Sequence, residues 1–362
     1  MRTQTIMLEE LCGKGSSSLM QRDVTKGDGI YPVYGASGLI GYIDTYKQEN
    51  EYIGIVKDGA GVGRVFVLPK KSSVIGTMQY LLPKKGVDVR YLYHALTFLD
   101  LGKYCTGATI PHIYYRDYKK ELLPFYSMED QVIIGGKLDS VLELIKKRRE
   151  QLHELDNLVK SQFIEMFGGY DLRDKQGDWI KISEIAEVVG GSTPKTNIEK
   201  YWDGDFLWVT PAEIASDTGL LNSTERTITK EGVDSCSLKV LPRGTVLLSS
   251  RAPIGKVAIV GKEMYCNQGF KNLICRERVN PWYIYHLLKY NNEYLNSLGR
   301  GATFKEISKS IVENIYIPIP SRKQQDGFAR FVEQIDKSKF RIKESLKNLE
   351  NCYKALLQKY FG

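Results

Sequence analysis

The chain contains the same segment twice, and this duplication limits the folds open to it more than any other feature. When the sequence is shifted by 194 residues, 106–168 aligns with 300–362 without a gap, and 14 of the 63 aligned residues are identical. Ordinary composition gives about 4 identities by chance over this length. The chain must therefore be read as two copies of one unit before any local pattern is interpreted.

The globular parts that precede these segments also repeat, although more loosely. Residues 55–65 align with 247–257, and 91–96 align with 283–288, both at an offset of 192 residues. The order along the chain is therefore globule, helix, globule, helix. We predict a first globule over 1–128, a helix over 129–168, a linker over 169–177, a second globule over 178–321 and a second helix over 322–362.

Both repeated segments are predicted to form long amphipathic helices. Their apolar residues recur at alternating three- and four-residue steps, which is the a/d seam of a coiled coil. Such a helix extends on the order of 50 Å, which is longer than one compact domain needs. The seam consists of Leu138, Val141, Ile145, Leu152, Leu155 and Val159 in the first helix and Val332, Ile335, Ile342, Leu346, Leu349, Tyr353 and Leu356 in the second.

Two narrow apolar stripes are covered most economically when the helices pack on each other. A pseudo-two-fold axis would make them antiparallel, with one globule at each end, and the alternative is that each helix packs separately on its own globule. Arg148 and Lys339 occupy seam positions, where polar residues can fix the register. The predicted fold is mixed α/β (α+β), with two β-rich domains joined by an antiparallel coiled coil.

Within the globules, β-forming runs around Gly-rich turns predict mainly strands. We predict strands at 52–56, 64–68, 74–82, 245–249 and 257–260, and helices at 89–101, 179–189 and 281–298.

Charge and cysteine usage restrict the class of protein. The net charge of +8 favours a polyanionic partner, although weakly. The six cysteines are scattered without a Cys-x-x-Cys pair, and with four histidines they do not form a zinc spacing. The N-terminal residues lack the apolar core of a signal peptide, and no run approaches the roughly 18 apolar residues of a membrane span. We expect reduced thiols, no metal site and a cytoplasmic protein without a membrane segment.

Motifs of catalysis are missing from the sequence. The Pro-Pro of an adenine methyltransferase turn does not occur, and the Gly-rich run 59–63 is followed by a β-forming run, whereas a phosphate-binding loop opens a helix. His94 and His286 lie at matching places on apolar helices, which favours structural roles. We therefore expect a chain that is not catalytic on its own.

Two unlike heads related by a pseudo-two-fold axis are suited to two separated patches of one DNA duplex. A set of motifs makes this specific. They are Tyr31-Pro-Val-Tyr-Gly-Ala-Ser-Gly38, Gly191-Ser-Thr-Pro-Lys195, Tyr201-Trp202, Trp208-Val-Thr210, Ser249-Ser-Arg-Ala-Pro-Ile-Gly-Lys256, Asn267-Gln-Gly-Phe-Lys271 and the paired Pro…Ser…Gln helix entries. In this order they resemble the specificity (S) subunit of a type I restriction–modification system over nearly the whole chain. The first head departs from the pattern, because Lys57-Asp-Gly-Ala-Gly61 replaces the Ser-Arg-Ala-Pro type of turn.

The resemblance implies a division of labour. In that family each head is a target recognition domain for one half of a bipartite, asymmetric site on double-stranded DNA, and the helices space the heads and dock two modification subunits. The resemblance implies that adenine N6 methylation with S-adenosylmethionine occurs on those partners. A restriction (translocase) subunit that uses ATP and Mg²⁺ can join, and no cofactor is expected in this chain.

DNA contacts are expected from basic and polar residues on Gly-bearing loops. Arg and Lys read guanine, Asn and Gln read adenine, and Lys, Arg, Ser and Thr hold phosphates. We rank Arg251, Lys271 and Gln268 first and Lys256, Lys57 and Arg64 next. The other candidates are Asn267, Thr109, His112, Thr303, Lys305 and Lys195.

Two further hypotheses remain open at this point. The chain could be the recognition subunit of another class of methylating restriction enzyme, which neighbouring genes would reveal. It could also be a coiled-coil scaffold with protein-binding heads, which predicts no steeply salt-dependent affinity for DNA.

Overall fold

The computed structural model describes residues 4–24, 29–107, 109–169, 171–174, 177–215, 217–251, 253–301 and 305–362. The strands of the first half are β1 (Gln4–Met7), β2 (Cys12–Ser16), β3 (Tyr31–Gly35), β4 (Gly38–Ile43), β5 (Tyr52–Val56), β6 (Val65–Leu68), β7 (Ser73–Val74), β8 (Met78–Pro83) and β9 (Leu122–Phe125). Its helices are α1 (Leu8–Leu11), α2 (Val89–Leu99), α3 (Tyr115–Tyr118) and α4 (Met128–Phe167).

The second half repeats this order. Its strands are β10 (Ile180–Lys181), β11 (Ala186–Gly190), β12 (Trp202–Val209), β13 (Leu220–Leu221), β14 (Arg226–Ile228), β15 (Val246–Leu248), β16 (Val257–Val260), β17 (Tyr265–Cys266), β18 (Lys271–Cys275) and β19 (Tyr316–Ile317). Its helices are α5 (Ile182–Ile185), α6 (Lys230–Ser235), α7 (Pro281–Tyr290), α8 (Asn292–Ser297), α9 (Lys309–Glu313) and α10 (Arg322–Phe361).

The sheets of the first head (residues 4–127) reappear in the second head (residues 178–321). The order β2-β8-β5-β6 of the first head corresponds to β11-β18-β15-β16 in the second, where β13 adds a parallel edge strand. The three-stranded sheet β4-β3-β7 corresponds to β14-β12-β17, and in both the last pair is parallel. The pairs β1-β9 and β10-β19 complete the match. The internal repeat predicted from sequence is therefore present in the topology.

The chain divides into two compact units that cut across both long helices. The first unit is Met1–Gln151 with Ile342–Gly362, and the second unit is Leu152–Arg341. Each unit thus contains one head, one half of α4 and one half of α10. This grouping by contact differs from the five consecutive segments that the sequence suggests.

Within each unit, the halves of α4 and α10 lie side by side and run antiparallel. In the first unit, the Arg149 guanidinium is 2.8 Å from the Glu350 carboxylate, and the Tyr126 hydroxyl donates to the Tyr360 carbonyl at 2.9 Å. In the second unit, Lys339 Nζ is 2.6 Å from Asp156 Oδ1, and the rings of Phe163 and Phe328 are 5.4 Å apart.

The seam residues of both helices are buried or partly buried in these units, and none is exposed. The polar seam residue Lys339 pairs with Asp156, whereas Arg148 donates to Gln151 on its own helix. The prediction of a mixed α+β fold with two long helices and an internal repeat is confirmed.

A buried glutamine ties each head to the helix that follows it. Ser127 caps α4 by accepting the Asp130 N–H, and Ser321 caps α10 in the same way, which explains the repeated serine. Four residues after each serine, Gln131 and Gln325 have no exposed surface. Gln131 accepts the Asp88 N–H at 2.9 Å, and Gln325 accepts the Asn280 N–H at 2.8 Å.

The head helices α2 and α7 pack on the long helices through aromatic residues. In the first unit, the α2 residue His94 joins both long helices, with Nε2 2.9 Å from Asp139 and Nδ1 2.9 Å from the Tyr353 hydroxyl. In the second unit, the α7 residue His286 packs on Phe328 and bonds Tyr290. Burial lowers the pKa of both histidines, and Asp139 opposes this effect at His94. Both histidines are therefore structural, as expected.

Some local predictions were wrong. The helix predicted over 179–189 is limited to α5, because 186–190 pair with β18 as a strand. The strand predicted over 74–82 is interrupted between β7 and β8, and the helix over 281–298 is divided at Asn291, whose amide bonds Leu287 O and the Leu172 N–H. Among the described residues, no helix is long and apolar enough to cross a membrane.

Candidate nucleic-acid interface

A cleft in the second head brings together three of the predicted DNA-binding residues. Arg251, Asn267 and Lys305 line it with Thr210 and Glu306, and its volume is about 470 Å³. Arg251 lies on the turn between β15 and β16, Asn267 follows β17, and Lys305 precedes α9. The three predicted residues, which are up to 54 positions apart in sequence, therefore share one surface.

The turn that carries Arg251 is fixed by two buried serines. Ser249 Oγ accepts the Lys256 N–H at 2.8 Å and donates to the Pro253 carbonyl at 2.7 Å. The Ser250 N–H donates to Gly269 O, and its carbonyl accepts the Ile307 N–H, both at 2.8 Å. Gly255 has a φ of +87°, which L side chains rarely adopt. The Ser-Ser-Arg-Ala-Pro-Ile-Gly-Lys motif thus encodes a rigid turn between two neighbouring loops.

Two of the predicted lysines are engaged inside the head. Lys271 Nζ is 3.1 Å from Glu306 Oε1, and its side chain is 15% exposed. Lys256 Nζ donates to the Pro211 carbonyl at 3.0 Å. Both ammonium groups thus bind residues that line the cleft, Pro211 and Glu306. Among the candidates in this cleft, Arg251 and Lys305 have no side-chain hydrogen bond within the part of the chain that the structure describes.

The amide residues beside the cleft are oriented by short local bonds. Asn267 Oδ1 accepts the Gly269 N–H at 2.9 Å, and Gln268 Oε1 accepts the Thr193 hydroxyl. Thr193 belongs to the loop 191–195, which also carries the exposed candidate Lys195. This loop therefore lies next to the Asn267–Gln268 loop.

A tryptophan pair supports that loop, and an arginine lies on the pair. Trp208 Nε1 donates to Ser192 O at 3.1 Å, and Trp202 Nε1 donates to Lys195 O at 3.3 Å. The guanidinium of Arg226 is 3.5 Å from the centre of the Trp202 ring and 5.9 Å from that of Trp208. Sequence reasoning missed Arg226, because its only signal was a basic residue on a strand that pairs with the tryptophan strand.

The candidates of the first head occupy the equivalent loops. Lys57 Nζ is 3.6 Å from Asp58, whose carboxylate also bonds His112 Nδ1. Arg64 folds back on its own turn and donates to Gly61 O and Ala60 O at 3.2 Å. Thr109 is exposed at the tip of the loop that ends at His112. Thr303, its counterpart in the second head, lies outside the described residues.

A basic and aromatic surface beside His112 was also missed. The His112 and Tyr114 rings are 4.1 Å apart, and the Arg116 guanidinium is 4.4 Å from the Tyr114 ring centre. Tyr114 and Arg116 line a cleft of about 340 Å³ with Lys103 and Thr106. The alternation of aromatic and basic residues at 112, 114 and 116 was the available signal.

The described residues hold no group of three or more His, Cys, Asp or Glu side chains that could bind a metal ion. Cys12, Cys266 and Cys275 lie in apolar surroundings, and burial raises the pKa of each thiol to about 12. A thiol with such a pKa is a poor nucleophile, because the thiolate is the reactive form.

The arrangement of two similar heads on two long helices is matched by known proteins. The sequence model of the family described as "Type I restriction modification DNA specificity domain" matches residues 3–154 and 177–351. The chain belongs to this family. The resemblance inferred from the sequence motifs is thereby confirmed, and one matched range falls in each repeat.

Curated relatives of this chain are described as specificity subunits of type I restriction enzymes. The chain is 38% identical over 209 residues to the type I restriction enzyme MjaIX specificity subunit of Methanocaldococcus jannaschii, a match that covers 56% of this chain and 48% of that relative. It is 24% identical over 278 residues to the EcoR124I/EcoR124II specificity subunit of Escherichia coli, covering 71% and 66%. The chain thus matches about half of the length of the first of these relatives.

Solved structures share its fold. The S subunit of a type I restriction–modification system from M. genitalium has a TM-score of 0.66 with this chain at 17% identity, and the match covers 100% of this chain and 96% of that one. A chain from a structure described as the basis of complex assembly and conformational transition of the type I R-M system has a TM-score of 0.58 at 16% identity, covering 99% and 97%.

Proposed function

We propose that this chain is the DNA sequence-recognition subunit of a type I restriction–modification enzyme and carries no active site of its own. Each head reads one half of a bipartite, asymmetric target on double-stranded DNA. The observation that carries the proposal is that the two heads share a framework and differ in the chemistry of their recognition loops.

The shared framework extends to the hydrogen bonds of the loops. In the first head, the backbone of His112 forms isolated β-bridges with Asp58 and Thr106. In the second head, the backbone of Glu306 forms isolated β-bridges with Arg251 and Arg300. Residues 106 and 112 correspond to 300 and 306 at the repeat offset of 194. The backbone scaffold of the candidate interface is therefore the same twice.

The side chains on this scaffold differ. A His112–Asp58 pair faces the first turn, whereas a Glu306–Lys271 pair faces the second, so that the residue at one position changes from a base to an acid. Base edges in the major groove are distinguished by their donors and acceptors. Two heads that carry a histidine and a glutamate at this equivalent position are suited to two different half-targets.

The long helices space the heads and dock two modification subunits. Apolar side chains that face solvent support a docking role, because an isolated coiled coil needs only its seam to be apolar. Phe340 is 63% exposed on α10, and Leu144 and Leu158 are 48% and 45% exposed on α4. Adenine N6 methylation with S-adenosylmethionine then occurs on the partners, and the assembly acts in the cytoplasm. A restriction subunit that uses ATP and Mg²⁺ can join this assembly.

The proposal is tested by mapping DNA methylation. The full chain is expressed with the modification subunit encoded next to it in a host without DNA methylation, and single-molecule sequencing locates modified adenines. We expect a bipartite motif with two unlike halves. The motif should vanish when this chain is deleted and should change in one half only when one head is exchanged.

The control is the same modification subunit without this chain, together with a purified complex that shows that the two bind. If the partner is active and bound, and no new motif appears, the recognition role is wrong. A complex whose DNA affinity hardly changes between 50 and about 200 mM salt would also contradict it, because proteins that hold several phosphates lose affinity steeply over that range.

A further inference from the structure

Arg226 of the second head contacts a pair of buried tryptophans, unlike the DNA-binding candidates predicted from the sequence. Trp202 and Trp208 are buried, and their rings meet edge to face with centres 5.0 Å apart. Arg226 is exposed and lies opposite Trp208 in the antiparallel pairing of β14 with β12. The centre of its guanidinium therefore lies 3.5 Å from the centre of the Trp202 ring, on a tryptophan pair that the strand β12 holds in place.

The hydrogen-bonding groups of this guanidinium are unused by the protein. Within the described ranges, Arg226 takes part in no ion pair and its side chain donates no hydrogen bond. Arg64, by contrast, donates to the carbonyls of its own turn, and Lys271 is paired with Glu306. Arg226 thus lies on the tryptophan pair while its guanidinium N–H groups remain available to a ligand.

The position of Arg226 is continuous with the candidate interface. The same two tryptophans donate to the carbonyls of Ser192 and Lys195, and Thr193 between them donates to Gln268. The loop 191–195, which adjoins the Asn267–Gln268 loop, is therefore hydrogen-bonded to the same tryptophan pair that Arg226 contacts.

We infer that Arg226 is a specificity-determining residue that reads a guanine in the half-target of the second head, an inference that rests on the proposed function. A guanidinium presents parallel N–H donors in a plane, and guanine offers O6 and N7 as a matching pair of acceptors in the major groove. Contact with the Trp202 ring restricts the guanidinium before DNA binds, so less conformational freedom is lost on recognition.

Two other roles make different predictions. If Arg226 only covers the tryptophans, its replacement by an apolar chain of similar length leaves DNA recognition unchanged. If it binds a phosphate, its replacement weakens the binding of all DNA sequences equally, and the slope of affinity against salt concentration decreases by about one. Only base reading changes the preference at one position of the target.

The variants Arg226→Met and Arg226→Lys separate these roles in the complete complex with the modification subunit. Met keeps an unbranched chain over the tryptophans without donors, and Lys keeps the charge without the planar fork. Arg278→Ala is the matched control, because Arg278 is an exposed arginine of the same head whose side chain has no hydrogen bond within the described part of the chain. Thermal unfolding of each complex verifies that the head is folded, and Arg226→Lys carries the test if Met destabilises it.

We expect the methylation motif of both Arg226 variants to accept other bases at one guanine position of one half, while the other half is unchanged. On purified complexes, the wild type should prefer the guanine duplex over one substituted at that position by about tenfold or more, and Arg226→Met should remove most of this preference. An unchanged motif, or an equal loss on both duplexes, would overturn the inference and leave the proposed function intact. A wild-type complex without a bipartite motif would overturn both.

Discussion

The glutamine that links each head to its helix makes a quantitative prediction. Gln131 accepts the Asp88 N–H at 2.9 Å and donates to the carbonyls of Gly86 at 3.1 Å and Tyr126 at 2.9 Å, and it is fully buried. The change Gln131→Met keeps most of the side-chain volume, so it removes three hydrogen bonds without a large cavity. At about 1 kcal/mol per bond, the three bonds give an expected loss of about 3 kcal/mol, and the Asp88 N–H left unpaired increases it.

The assay is denaturant unfolding of the full chain, combined with hydrogen exchange at the amide of Asp88 to locate the effect in the first unit. Gln334→Met is the control, because Gln334 is an exposed glutamine of α10. Gln325→Met should cost slightly less in the second unit, since one of its three bonds is long, at 3.5 Å to Arg278 O. A loss below about 1 kcal/mol for Gln131→Met, or one equal to that of the control, would refute the view that this residue holds the head on the helix.

Three further changes test the interface and the second unit. Arg251→Ala should weaken DNA binding by about tenfold, and unchanged affinity with unchanged target preference would remove Arg251 from the interface. Lys339→Met removes the 2.6 Å ion pair with Asp156. It should lower the free energy of unfolding in urea by about 0.5–1 kcal/mol, because the Asp156 carboxylate is half exposed. A more stable variant would show that the ion pair only sets the register of the helices. Burial beside Lys289 and Lys339 holds the pKa of His286 well below 6.5, so the unfolded chain gains a proton first as pH falls. Stability should therefore decrease below about pH 6.5, by up to about 1.4 kcal/mol per pH unit, and His286→Leu should flatten this slope; equal slopes in both proteins would contradict the assignment.

The long helices were predictable because their signal is repeated many times. The observed bounds, Met128–Phe167 and Arg322–Phe361, differ by one residue or less from the predicted starts and ends. A period of 3.5 from Leu138 to Val159 and from Val332 to Leu356, a serine at each helix entry and a terminal glycine all indicate the same element, and the duplication supplies each signal twice.

Short elements were less predictable because distant partners decide them. Residues 186–190 have a spacing that also suits a helix, and they become a strand because 271–275 are available for pairing. The same limit applies to the interface. Glycine turns indicated where the loops lie, but a contact such as Lys271 with Glu306 joins residues 35 positions apart and leaves no local pattern. Arg226 and Trp202 likewise meet only through strand pairing.

The division of the long helices between the two units has a consequence for biosynthesis. The first unit includes the last part of the chain, since Phe361 packs on Tyr91 and Tyr360 bonds Tyr126 across 234 positions. Ribosomes add roughly 5–20 residues per second, so the first head waits on the order of ten seconds or more for the segment that covers its apolar helix face. The second unit is contiguous and can fold while that face is still uncovered. Of the two units, the one whose head is synthesised earlier is therefore completed later, and its apolar helix face stays uncovered in the interval.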